Sequence, residues 1–87
     1  MDFGQAIKEL KDGKAVFRAG WNGKGMFLYY VPADNYPAKT RIGKAIANEQ
    51  GLVSYGAYIA MRTAQGNVVP WLASQTDVLA EDWKVLP

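Results

Sequence analysis

Residues 15–31 read AVFRAGWNGKGMFLYYV, and the reading of this stretch decides the fold. Ala15 to Ala19 alternates, with Phe17 on one face and Val16 and Arg18 on the other, the period of a half-buried strand. Met26 to Val31 is aromatic and β-branched enough for a second strand, and Pro32 ends it. Between them Asn22-Gly23 is a strong hairpin signal, because both residue types tolerate the positive φ of a tight turn.

In front of this hairpin, residues 3–12 read as a helix. Asp2 is a good N-cap, and Gln5 sits at the reciprocal capping-box position. Phe3, Ala6, Ile7 and Leu10 form one apolar stripe at i, i+3, i+4, i+7 spacing, and Gly13 is a natural stop. Lys8, Glu9, Lys11 and Asp12 take the wet side. Behind the hairpin, Asn35-Tyr36-Pro37 reads as loop and Ile42 to Glu49 as a short helix ended by Gly51. Tyr55 to Thr63 reads as a third strand, distorted near Gly56. Ala64-Gln65-Gly66 is a turn, and Asn67 to Trp71 is a fourth strand. Pro70 has no N–H to give a ladder, so it belongs at an edge, a bulge or a strand end. Ser74, with Asp77 three residues on, is an N-cap pair that opens a short second helix near residues 74–79. Trp83 and Val85 alternate with Asp82 and Lys84 in a final strand. The sum is α+β: an N-terminal helix packed on an antiparallel sheet of four to five strands, one domain over residues 1–87.

Composition narrows the chemistry. The 87 residues contain no histidine and no cysteine, so the commonest general base, most hydrolase triads and most transition-metal sites are excluded. Acid–base work would fall to Asp, Glu, Lys or Tyr, and no catalytic residue, metal site or cofactor is assigned. A net charge of +2 is too mild for a non-specific binder of long nucleic acid. No apolar run approaches the ~20 residues of a membrane span. Asp2 stands where a secretory signal would carry positive charge, which makes a cytoplasmic protein the expectation. A chain this short buries only roughly 60–65% of its unfolded surface. Yet 49% of its residues are hydrophobic, so self-association is expected as a way to cover the excess.

Two segments carry the functional signal: Gly20-Trp21-Asn22-Gly23-Lys24-Gly25-Met26, and Val69-Pro70-Trp71-Leu72-Ala73-Ser74-Gln75-Thr76-Asp77. Each sets an indole beside small, flexible or hydrogen-bonding residues, as a nucleotide's base, phosphates and sugar require. Trp21 reads either as a stacking platform for an adenine or as a hairpin-end tryptophan packed on its own sheet. Asn22, Gly23, Lys24 and Gly25 can cradle a phosphate with backbone N–H groups and a lysine charge, although a plain turn explains the first two. Trp71, Ser74, Gln75, Thr76 and Asp77 combine a helix start with groups that suit ribose hydroxyls or an adenine amine. The alternative is a purely local cap. Arg18 and Arg62 are either solvated face residues or pyrophosphate clamps.

These residues also carry a family match. A short helix is followed by Gly20-Trp21-Asn22-Gly23-Lys24-Gly25-Met26-Phe27-Leu28, and a strand ends Met61-Arg62-Thr63. Val69-Pro70-Trp71 precedes Ser74-Gln75-Thr76-Asp77, and the chain closes on Ala80-Glu81-Asp82-Trp83. The sequence closely resembles the second type of Thoeris anti-defence protein, a family of small phage and prophage proteins, over nearly its whole length. The resemblance implies a sponge. Such a protein holds the cyclised ADP-ribose signal of the Thoeris system, and in some relatives cyclic oligonucleotides in a separate pocket, without cleaving it. It also implies homodimers or homotetramers with pockets at subunit boundaries, acting in the cytoplasm of the infected bacterial host. The expected ligand-binding set is Trp21, Asn22, Gly23, Lys24, Arg62, Trp71, Ser74, Gln75, Thr76 and Asp77. Two other classes compete with this reading: an enzyme that degrades the same nucleotide, and a single-stranded nucleic-acid or protein-interaction module.

Overall fold

The computed structural model describes residues 1–22 and 24–87. In chain order the elements are α1 (Phe3–Lys11), β1 (Val16–Arg18), β2 (Phe27–Val31), β3 (Asp34–Pro37), α2 (Arg41–Ile46), β4 (Leu52–Tyr55), β5 (Tyr58–Arg62), β6 (Val68–Pro70), α3 (Gln75–Leu79) and β7 (Trp83–Val85). Five strands form an antiparallel sheet in the order β6-β5-β2-β1-β7, and β3 pairs with β4 in a second, two-stranded sheet. The expected α+β architecture is therefore present, with five strands in the main sheet.

α1 starts as its sequence dictates. The Asp2 side chain accepts from the Gln5 amide, and the Gln5 side chain accepts from the Asp2 amide. This satisfies two amides that no helical carbonyl reaches. Ala6 and Leu10 on its apolar stripe meet Val16, Leu28 and Trp83 from the sheet, and all five are buried. The register puts Val16 opposite both Leu28 and Val85, and Arg18 opposite Trp83. Residues paired across antiparallel strands share a face, so Arg18 lies on the α1-covered side with Val16 and Trp83.

β1 and β2 pair antiparallel, Val16 opposite Leu28, as the hairpin reading expects, and a long connection joins them. Gly23 of the Asn22-Gly23 signal lies outside the described residues. Three local expectations are corrected. Asn35-Tyr36-Pro37 is strand, not loop, because Asp34 to Pro37 find a partner in Leu52 to Tyr55, with Tyr36 opposite Val53. A Pro at the end of a peripheral strand costs that ladder little. The helix read over 42–49 is shorter, Arg41–Ile46. Asn48 takes over the chain there, its side-chain oxygen accepting from the Gln50 and Leu52 amides. The strand read over 55–63 is two strands in two sheets, divided at Gly56-Ala57. Pro70 ends β6, an edge strand, as its missing N–H demands.

β3, α2 and β4 pack chiefly on one another. They draw the molecule out to 45 × 26 × 25 Å, with a radius of gyration of 15.2 Å. A compact chain of this length would have about 12 Å. No helix among the described residues is long and apolar enough to cross a membrane.

Candidate functional site

Trp83 is the centre from which the site is built. Its ring is 1% exposed, and its Nε1 donates to the backbone oxygen of Asp77 at 3.0 Å, so burying the indole leaves no donor unpaired. Three aromatic rings gather on it. Phe3 lies 5.4 Å away between centroids, Trp21 5.4 Å at 80°, and Trp71 6.1 Å at 85°. Trp21 and Trp71, distant in the chain, thus both stand edge-on to one buried ring, the favoured geometry for aromatic pairs. Both remain half-buried.

A charged network flanks these rings. Arg18 Nη1 donates to Asp77 Oδ1 at 2.8 Å, and Arg18 Nε donates to Asp82 Oδ1 at 2.8 Å. Each carboxylate then accepts from the Trp21 segment: Asp77 Oδ1 from Trp21 Nε1 at 3.3 Å, and Asp82 Oδ2 from the Gly20 amide at 2.8 Å. Burial pushes the Asp77 carboxyl upward in pKa, but hydrogen bonds from Arg18, Ser74 and Trp21 outweigh it, and the net shift is down. Arg18 is the main cause holding Asp82 below the ordinary carboxylate value, with the Gly20 amide adding to it.

The other half of the Trp21 segment forms a depression of about 250 Å³. Trp21, Lys24, Gly25 and Met26 line it together with Phe17, Arg18, Ala19 and Leu86. Arg62 on β5 braces one of these lining residues, its Nη1 donating to the Gly25 carbonyl at 3.0 Å while its guanidinium carbon lies 5.9 Å from the Phe27 ring centroid. Gly25 has φ +76°, a conformation L side chains rarely adopt.

On the other side of Trp83, the Ser74 side chain accepts from the Asp77 amide at 3.0 Å and caps α3. A five-residue helix with that amide occupied and an acid in its first turn is a poor seat for a phosphate. The cap reading of Ser74 therefore stands, and Gln75 and Thr76 are exposed on the first turn beside it.

A family model described as the Thoeris anti-defense 2-like domain matches residues 1–86. The chain belongs to this family. Thoeris anti-defense 2 of Bacillus phage SP01 is 40% identical to it over 86 residues, which span 99% of this chain and 94% of the relative.

Within this Thoeris anti-defense 2-like fold the expected site residues divide into groups. Trp21, Trp71 and Asp77 converge around Trp83, and Lys24 shares the depression with Trp21. Arg62 braces the glycine-rich loop through Gly25. Asn22 is exposed, and Gly23 lies outside the described residues. Trp71 and residues 74–77 do not line the Trp21 depression, so the two halves flank Trp83 rather than share one opening. Arg18 and Asp82 were missing from the expected set. The signal for Arg18 was its parity: it alternates in phase with Val16, and a charge on the covered face needs a buried partner.

Proposed function

We propose that this chain counters Thoeris defence by sequestering a cyclic nucleotide signal, a glyco-cyclic ADP-ribose, without cleaving it. The observation that carries this reading is the meeting of Trp21 and Trp71 on the Trp83 ring, in a member of a family named for Thoeris anti-defense. A half-buried indole offers a base a π-face, and base–aromatic stacking contributes about 1–3 kcal/mol per base. Lys24 and the Arg62 guanidinium supply positive charge for the pyrophosphate. On the other flank of Trp83, Trp71, Gln75, Thr76 and Asp77 offer groups that suit sugar hydroxyls.

A sponge must hold its ligand tightly, and a nanomolar Kd corresponds to about −12 kcal/mol. A depression of about 250 Å³ falls short of the roughly 300–1,000 Å³ of ordinary ligand pockets. A second copy supplies the missing wall, in a homodimer or homotetramer. The apolar side chains left bare support this: Leu72 is 92% exposed, Leu79 76%, Ile42 71% and Ile46 70%. The site of action is the cytoplasm of the infected bacterial host.

The test is to incubate the protein with glyco-cyclic ADP-ribose, denature it by heat and identify what is released. Intact ligand after tight uptake supports sequestration; a cleaved product identifies a nucleotide-degrading enzyme instead. Native mass spectrometry of the same mixture reads stoichiometry, and a ligand-bound monomer would overturn the shared pocket.

A further inference from the structure

Arg18 lines the Trp21 depression, but its guanidinium does not stand there with its charge free. It is spent on two carboxylates from different elements, Asp77 in the first turn of α3 and Asp82 just before β7. Both ion pairs are half-buried or better, with side-chain exposures of 17% for Arg18, 15% for Asp77 and 34% for Asp82. The fork geometry matters here. Nε and Nη1 point to different acceptors from one rigid plane, which a lysine ammonium does not reproduce.

The carboxylates pass this order on to adjacent residues of one segment. Asp82 Oδ2 fixes the Gly20 amide, and Asp77 Oδ1 fixes the Trp21 indole N–H. A Cβ on Gly20 would lie 2.9 Å from Asp82 Oδ2, so a side chain there would push the carboxylate away from the Gly20 amide. The Trp21 segment is therefore held at its backbone and at its ring by two acceptors that are themselves oriented by one cation.

We propose that Arg18 is a positioning residue: through Asp77 and Asp82 it presets the Trp21 indole for the ligand, its own charge being taken up by those two carboxylates. This rests on the sequestration reading only for its consequence on affinity. The arrangement it describes belongs to the free protein. A pre-set wall lowers the ordering cost paid at binding, so losing it weakens binding even where every ligand-contacting group remains.

The experiment combines two readouts. In the free protein, hydrogen exchange of the Trp21 indole N–H and the Gly20 amide is followed by NMR, with Trp21→Phe assigning the indole signal. Arg18→Gln is expected to speed exchange at both sites by tenfold or more while the amides of Leu10 and Val16 stay protected. Unchanged exchange at Gly20 and Trp21 overturns the proposal, whether or not any nucleotide binds. In parallel, glyco-cyclic ADP-ribose affinity is measured for Arg18→Gln, Trp21→Ala and the double variant. Arg18→Gln alone is expected to lose about tenfold or more, and to add little once Trp21 is gone, because coupled residues are non-additive. Additive losses would make Arg18 an independent ligand contact and overturn the positioning role. If Arg18→Gln does not fold, Arg18→Lys and Asp82→Asn carry the same two measurements. Failure of the wild type to bind the nucleotide would remove the sequestration reading and leave the exchange result standing.

Discussion

Trp21 and Trp83 meet edge to face, with ring centroids 5.4 Å apart and planes at 80°. One ring is buried and the other half-exposed, so the pair joins the core directly to the candidate site. Trp21→Ala removes a stacking face and one edge contact. It is expected to weaken glyco-cyclic ADP-ribose by tenfold or more in calorimetry. Because the ring is only half-buried, the stability loss should be about 1–3 kcal/mol, below the cost of a fully buried tryptophan. Unchanged affinity would take Trp21 out of the site.

Trp83 carries the opposite balance. Trp83→Ala removes the ring on which Phe3, Trp21 and Trp71 all lean and should cost about 3–5 kcal/mol. Trp83→Phe keeps most of the packing but loses the Nε1 bond to the Asp77 carbonyl, which still accepts from the Ala80 amide, a cost of about 0.5–1.5 kcal/mol. Urea unfolding of both variants checks the ranking. In the Phe variant the emission of Trp21 and Trp71 should shift together, since one ring supports both; a shift in one alone would show that they are independent.

Much of the fold was legible because its signals are local. The α1 capping box, the Ser74 cap and the alternation at Trp83–Val85 each declare an element within a few residues. The failures share a non-local cause. Asn35-Tyr36-Pro37 has turn-like composition, and only its partner Leu52–Tyr55 makes it strand. The break at Gly56-Ala57 sends β4 and β5 into different sheets, a choice that pairing makes and propensity does not. For the site, sequence pointed to Trp21, Trp71 and Asp77 but not to what joins them. Asp82 looks like an ordinary solvent-side acid until the register places Arg18 opposite Trp83.

The Arg18 network also sets a pH dependence. Asp77 and Asp82 both titrate below their ordinary value of 3.8 in the folded protein. A depressed folded pKa gives stability that is fully present above the unfolded value and is lost as pH falls through the folded one. The contribution should therefore be constant at neutral pH, begin to fall at about pH 4 and be lost as pH drops through the depressed folded values. Other carboxylates protonate in the same range, so the informative quantity is a difference. The gap in urea midpoint between wild type and Asp82→Asn is expected to be largest near pH 7 and to narrow as pH falls below about 4. A gap independent of pH would mean that Asp82 acts through shape alone.

Gly25 tests the depression from its backbone. At φ +76°, Gly25→Ala pays the left-handed penalty of roughly 1–2 kcal/mol, and the new Cβ would stand 3.0 Å from Arg62 Nη1. That atom ends a flexible side chain, so the guanidinium gives way and its bond to the Gly25 carbonyl at 3.0 Å is strained or lost. Gly13 is the matched control: its φ is +89°, and an added Cβ there meets nothing within 4 Å among the described residues. Both alanine variants should lose similar stability in thermal unfolding, because the backbone term is shared. Only Gly25→Ala should also lose affinity for glyco-cyclic ADP-ribose, since only it displaces Arg62 from Gly25, a residue that lines the Trp21 depression. Equal affinities for the two variants would mean that Arg62 and the glycine loop serve the fold and not the ligand.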